Sequence, residues 1–310
     1  MKTHSETLAF FLALTTTAIA SNGISAADVV ADPGQVVFSS LRPGNWDIFH
    51  FPTPGGPPKR LTDHPGLDYE ATFAPDGRWV VFTSERRGNP DLYVIDLQSG
   101  GPPRLLIDND AMEDQATIAP DGKTIAFMST QSGNADIYTM PFDPTTTSSF
   151  DQAVNLSNHP GGDFRPAFSP DGKRIAFSTD RDTEVYGHPA FSFMRQREGE
   201  VYVMDADGKN TQRLTHARSW DGSPAWSKDG QTIYFYSARP RQLPGAPISH
   251  ILGQEGGFRI WAMNPDGSRP RAVTPEGVEA LAPALTPDNR IAFQTRRSFI
   301  GWYIQSMRLN

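Results

Sequence analysis

The sequence predicts an all-β chain folded as a six-bladed antiparallel β-propeller, and three observations carry that prediction. Five segments nearly coincide: Phe73-Ala-Pro-Asp-Gly77, Ile118-Ala-Pro-Asp-Gly122, Phe168-Ser-Pro-Asp-Gly172, Trp226-Ser-Lys-Asp-Gly230 and Leu285-Thr-Pro-Asp-Asn289. Each runs directly into a short β-type run ending in Phe, at Phe82, Phe127, Phe177, Phe235 and Phe293, and Ala31-Asp-Pro-Gly34 before Phe38 is a degenerate sixth copy. Finally, Pro75, Pro120, Pro170, Lys228 and Pro287 are spaced by 45, 50, 58 and 59 residues, the period of a four-stranded blade.

Within a unit, the third full copy serves as the template. Strand a is expected at Arg165–Ser169, strand b at Arg174–Ser178, strand c at Val201–Met204 and strand d at Gln212–Thr215. These runs are short, rich in β-branched and aromatic residues, and bounded by turn residues. Pro-Asp-Gly reads as the a–b turn: Pro presets φ, Asp caps the turn and Gly takes positive φ. Asp207-Gly208 and Asp266-Gly267 read as c–d hairpin turns. The extra length of the last two periods falls between strands b and c, as insertions at Thr179–Gly199 and Ala238–Gly257. In the first unit, aligning Phe38 with Phe82 puts strand a near Ser25–Val30. In the sixth, strands a, b and c are expected at Leu281–Leu285, Arg290–Gln294 and Trp302–Gln305, with no clear strand d. An open outer edge is a pairing liability, so the N-terminal segment is a candidate to cap it.

Composition narrows the function. The 27 Gly and 27 Pro are scattered between strands, which suits a loop-rich β fold and not a disordered chain. A net charge of −7 without any basic block argues against nucleic acid as a partner. The chain has no cysteine, hence no disulfide, no thiolate metal site and no lipid-modified cysteine. Leu8–Ala20 is an apolar stretch too short to span a bilayer, and Ala18-Ile-Ala20 fits the small-residue rule for cleavage. The expectation is a signal peptide over residues 1–20, a propeller over 21–310 with Ser21 at its start, and a periplasmic or secreted location.

The unit Phe168-Ser-Pro-Asp-Gly-Lys-Arg-Ile-Ala-Phe-Ser178, with Asp91-Leu-Tyr-Val94 and Gln212-Arg-Leu-Thr215, resembles the PD40 or WD40-like repeat of TolB-like propellers. The resemblance covers roughly residues 30–310. It implies that Asp47, Asp91 and Asp136 tie together the b–c turns. Because the repeats begin within about ten residues of Ala20, the α/β domain that precedes the propeller in TolB is not expected here.

Loops d–a and b–c lie on one face of a propeller. That face receives His64, His159 and His216 in d–a loops, and His188 and His250 in the insertions. Asp68, Glu113, Asp163 and Asp221 each stand five residues before the strand-a anchor. Strand a lines the channel, so this register suggests a ring of carboxylates at the channel mouth. With the histidines, such a ring could bind Mn²⁺, Zn²⁺ or Ca²⁺; alternatively, each carboxylate hydrogen-bonds a neighbouring blade's backbone. Arg181, Arg195, Arg197, Arg239 and Arg241 accompany Tyr186, Phe191, Phe193 and Phe258 in or beside the insertions, a mixture suited to an acidic sugar or a protein partner. Asn155-Leu-Ser157 is a sequon within an expected strand.

No Gly-x-Ser-x-Gly elbow occurs, which separates the chain from propeller-bearing prolyl peptidases. The leading expectation is a non-catalytic binding or scaffold propeller, a monomer, whose partner is an envelope protein or an acidic polysaccharide. Its binding surface would combine Asp68, Asp163, Arg165 and Asp221 with Arg181, His188, Arg239 and His250. The alternative is a metal-assisted lyase on uronate oligosaccharides, by resemblance to oligogalacturonate lyases, with His64, His159 and His216 as base or metal ligands.

Overall fold

In a computed structural model of the protein, the residues described are 36–40, 45–52, 57–182, 185–186, 196–197, 199–217, 219–239, 257–285, 290–298 and 301–308. The expected signal segment, strand a of the first unit, His188, His250, Arg195, Arg241, Phe191 and Phe193 lie outside them.

The chain is a β-propeller built of consecutive antiparallel sheets. Blade 1 contributes β1 (Val36–Ser40), β2 (Asp47–Phe51) and β3 (Lys59–Arg60), its strands b, c and d. Blade 2 is β4 (Asp68–Phe73), β5 (Trp79–Ser84), β6 (Asp91–Asp96) and β7 (Arg104–Leu105). β8 (Ile107–Asp108) follows, and blade 3 is β9 (Glu113–Ile118), β10 (Thr124–Ser129), β11 (Asp136–Pro141) and β13 (Val154–Asn155). Its c–d connection carries β12 (Ser148–Ser149), which pairs back in parallel with β8. Blade 4 is β14 (Asp163–Phe168), β15 (Arg174–Thr179), β18 (Glu200–Asp205) and β19 (Gln212–Arg213), with β16 (Val185–Tyr186) and β17 (Gln196–Arg197) as a separate hairpin inside its insertion. Blade 5 is β20 (Asp221–Trp226), β21 (Ile233–Ser237), β22 (Arg259–Met263) and β23 (Arg271–Ala272). Blade 6 is β24 (Ala280–Leu285), β25 (Arg290–Ser298) and β26 (Gly301–Arg308). Five blades thus show their inner strand, and blade 1 is represented by its outer three.

The repeated residues explain these elements. In every Asp-Gly a–b turn the Asp carboxylate accepts from the backbone N–H two residues on, as Asp76 does from Arg78 and Asp171 from Lys173. The following Gly has φ of 67–69° at Gly77, Gly122, Gly172 and Gly230. The repeated Phe of strand b then pairs across to an aromatic of strand c: Phe82 with Tyr93, Phe127 with Tyr138, Phe177 with Tyr202 and Phe235 with Trp261. All four phenylalanines are fully buried, each contributing about 1.5–3 kcal/mol. The core lies between sheets and not within one. Val81 and Leu92 of blade 2, for example, share a cluster with Ile118 and Phe127 of blade 3.

The described inner strands follow one another in contact, β4 with β9, then β14, β20 and β24 in turn, and β1, strand b of blade 1, lies against β4. Each of the five described strands a is interrupted by a bulge against its strand b. At that bulge sits a non-glycine residue in the left-handed region: Glu70, Gln115, Arg165, Ser223 and Ala282, with φ between 48° and 58°. A bulge re-aims a side chain, and here it does so at one equivalent position per blade.

Candidate functional site

The four carboxylates that open strand a are fully buried, and each is bonded within its own blade. The Arg two residues after strand b reaches back to them: Arg86 to Asp68 at 3.0 Å, Arg181 to Asp163 at 2.8 Å and Arg239 to Asp221 at 3.0 Å. Each guanidinium also lies over a strand-c aromatic, 4.4 Å from the Tyr93 ring centre, 5.3 Å from Tyr202 and 4.5 Å from Trp261. Blade 3 departs from this pattern. Glu113 accepts instead from Asn109 at 2.8 Å and Ser129 at 2.9 Å, and burial pushes its carboxyl up to about 7. Burial likewise raises Asp163 and Asp221, against the opposing pull of their arginines.

The aspartates opening strand c do more than tie the b–c turn. Asp136 accepts from Ser132 and Asn134 of that turn, but also from Asn155, Ser157 and the backbone N–H of His159, binding strand d and the next d–a loop. The sequon Asn155 and Ser157 are thereby committed to an internal network. Asp47 is held by Arg60 at 2.6 Å and Thr62, and Glu200 fills the same place in blade 4, held by Arg213 at 2.6 Å and by Thr215.

His64 and His159 occupy equivalent d–a turns, half-buried. In each, Nδ1 accepts from the backbone N–H two residues on, Gly66 at 2.9 Å and Gly161 at 3.0 Å. A neutral imidazole that accepts at Nδ1 carries its proton on Nε2, so the outward nitrogen is a donor and not a free lone pair. The Asn of the preceding b–c turn clasps the carbonyls of these loops, Asn45 on His64 and Asn134 on His159 at 2.7 Å. His216 is exposed in its own d–a loop. Among the described residues, no three His, Asp or Glu side chains are grouped to hold a metal ion.

Arg165 has a different setting. It is the bulge residue of blade 4, and its guanidinium makes a bidentate pair with Glu70, the bulge residue of blade 2, at 2.7 and 3.0 Å. The pair skips blade 3 and so spans the channel. Gln115, the bulge residue of blade 3, accepts from the Arg165 backbone N–H at 2.9 Å. Beneath it, fully buried Asp114 accepts from Thr83 at 2.6 Å, and its carboxyl is raised by burial and by the charge of Glu70, while Arg165 pulls the other way. Reading strand a at five residues before the anchor selects the buried carboxylates. Glu70, Gln115 and Ser223, three residues before it, are the channel residues that this register passes over. The signal available for them was the same ruler moved by two; the bulge at that position, which re-aims the side chain, is not marked in the sequence.

Comparison with known proteins now adds to this geometry. The family profile described as the TolB β-propeller domain (PD40) matches residues 16–143 and 155–309. The chain belongs to the TolB β-propeller family. It is 38% identical over 72 residues to the Tol-Pal system protein TolB of Wolinella succinogenes, covering 23% of this chain and 17% of that one. It is 29% identical over 207 residues to the uncharacterised protein Atu1656 of Agrobacterium fabrum, covering 66% of this chain and 51% of that one. The chain therefore spans about half, or much less, of these curated relatives. The crystal structure of TolB from Acinetobacter baumannii superposes with a TM-score of 0.63 at 19% identity, over 97% of this chain and 67% of that one. An oligogalacturonate lyase in complex with manganese superposes at 0.52 and 13% identity, over 90% of this chain and 87% of that one. At such identities these structures establish a shared fold.

Proposed function

We propose that this TolB-like propeller is a non-catalytic binding or scaffold protein, exported across a membrane, that presents its d–a and b–c face to an envelope protein or an acidic polysaccharide. One observation carries the reading. The carboxylates that could have served chemistry on this face are buried and already paired, Asp68, Asp163 and Asp221 each with its own arginine. Such groups hold a frame, and the two long insertions rooted beside Arg181 and Arg239 extend from it as recognition loops do from rigid scaffolds. Export rests on the apolar Leu8–Ala20 stretch; among the described residues no helix is long and apolar enough to cross a membrane.

The lyase reading asks more of the histidines. His64 and His159 would each have to give up the turn bond at Nδ1 or the proton at Nε2 before ligating a metal. The test has two arms. Metal analysis of the purified protein should find no stoichiometric Mn²⁺ or Zn²⁺ that His64→Ala or His159→Ala removes; finding it would favour the lyase. Affinity capture from an envelope extract should recover a partner on the full chain and lose it when both insertions are shortened. Capture that persists on the shortened chain would overturn the assignment of the face.

A further inference from the structure

Four of the described junctions between blades bring together two buried carboxylates, one opening strand c and one opening the next strand a. From the first junction to the fourth these are Asp47 with Asp68, Asp91 with Glu113, Asp136 with Asp163, and Glu200 with Asp221, all 0–1% exposed. Three junctions are compensated. Arg60 and Arg86 serve the first, the hydrogen-bond network on Asp136 with Arg181 serves the third, and Arg213 and Arg239 serve the fourth.

The junction of blades 2 and 3 is the exception. The position held elsewhere by Arg86, Arg181 and Arg239 is Gln131 here, in Ser129-Thr-Gln131 against Ser84-Glu-Arg86. Glu113 Oε2 is buried and accepts no hydrogen bond, and the same is true of Asp91 Oδ2. The nearest cation to Asp91 is Arg87, whose Nε stands 3.9 Å away and whose Nη1 is spent on Asp108 at 2.9 Å. The Glu113 backbone N–H donates to Pro90 at 2.9 Å, which sets the two acidic residues against each other. The segment leading to Glu113 reads Asp108-Asn109-Asp110-Ala111-Met112, and the charges of Asp108 and Asp110 act on Asp91 against the pull of Arg87. Carboxylate oxygens removed from water without a counter-charge are strongly destabilising.

We propose that the blade 2–blade 3 junction binds a hard divalent cation of the calcium class, held by Asp91 and Glu113, which replaces the arginine used at the other junctions. The donors are oxygens, with no imidazole or thiolate present, which selects Ca²⁺ over Zn²⁺. With two carboxylates as the charged ligands, amide, backbone and solvent oxygens complete the shell. Asn89 and Asn109, already bonded to Asp91 and Glu113 at 3.3 and 2.8 Å, place amide groups beside them.

The experiment is calcium titration calorimetry on the full chain, paired with thermal melts in about 5 mM CaCl₂ and in EDTA. A site with few charged ligands should bind with a Kd on the order of 10⁻⁴ M. Wild type should take up one Ca²⁺ and melt higher with it. Glu113→Gln and Asp91→Asn should bind at least about tenfold more weakly. Gln131→Arg restores the guanidinium of the other blades; it should abolish the calcium response while melting in EDTA as high as wild type does in calcium. Asp207→Asn, in the exposed blade 4 c–d turn, should leave binding unchanged. Absence of Ca²⁺ uptake by wild type would overturn the proposal. Undiminished binding by Gln131→Arg would overturn it too, even if Glu113→Gln fails to fold.

Discussion

Arg165 is a single side chain on which three blades converge: it pairs with Glu70, its backbone bonds Gln115, and its charge opposes that of Asp114. Replacing it by Ala leaves Glu70 facing Asp114 without a cation. With the two side chains of the pair 14% and 23% exposed, the cost should be about 2 kcal/mol, below the 3–5 kcal/mol of a wholly buried pair. Urea melts of Arg165→Ala, Glu70→Ala and the double variant should give a coupling of at least about 1 kcal/mol; strict additivity would mean that the pair is idle. His50 makes a second prediction at this scale. It is 6% exposed, its Nε2 has no partner, its ring packs 5.6 Å from Phe73, and burial with the nearby Lys59 lowers its pKa from the ordinary 6.5. Above pH 6.5 the imidazole is neutral folded or unfolded. Below it, the unfolded chain takes a proton that the native state resists, so stability is lost as pH falls from 6.5. His50→Phe keeps the packing without the titration, and its Tm should fall less than that of wild type between about pH 6.5 and 5. Parallel curves would show that His50 does not contribute.

At the scale of elements, the c–d turns join blades as well as strands. Gly208 and Gly267 have φ of 83° and 81°, which a hairpin turn alone would explain. A Cβ at Gly267, however, would stand 2.6 Å from the Leu214 carbonyl oxygen, and one at Gly208 would stand 2.8 Å from that of Leu156. Each turn presses on the chain just beyond strand d of the preceding blade. Gly122, in an a–b turn with φ of 69°, has open space where a Cβ would go. Gly122→Ala should therefore cost only the backbone strain, about 1 kcal/mol, and Gly267→Ala should cost about 2–3 kcal/mol because the blades must also part. Chemical denaturation of the two variants separates the effects. Equal losses would mean that the close approach relaxes freely. In the sequence both appear as Asp-Gly turns, because the carbonyl that distinguishes them belongs to another repeat.

At the scale of the whole molecule, the insertions can be trimmed while the blades stay intact, but the boundary matters. Arg181 and Arg239 fall within the stretches that the spacing of repeats marks as insertion, yet they clamp Asp163 and Asp221, and Asp182 accepts from Tyr202 at 2.7 Å. A variant shortened to the length of the Glu85–Pro90 turn, with the cuts placed after Asp182 and after Arg239, removes the β16–β17 hairpin but no blade strand. It should melt within a few degrees of wild type while losing its partner. A variant cut at Thr179 and Ser237 should instead lose several degrees, from two buried carboxylates left without their arginines. Equal melting of both variants would remove the arginines from the frame.

The sequence by itself determined the propeller, the strands of blade 4 and strands a to c of blade 6 to within a few residues, and the face shared by the d–a and b–c loops. All three follow from local, repeated chemistry: a turn needs its Pro-Asp-Gly, and a strand between two sheets needs its buried Phe, in every copy. What those repeats do to one another was decided only by the tertiary structure. The carboxylates that open strand a occupy equivalent positions in the repeat, but whether an arginine meets each depends on the b–c turn across the sheet. Arg165 finds Glu70 at a separation of 95 residues, across a channel that exists only once the blades are arranged about it. Charge compensation acts through space: the repeat shows Gln131 where other units carry Arg86, Arg181 and Arg239, but only the fold shows that this position serves the buried carboxylate opening strand a.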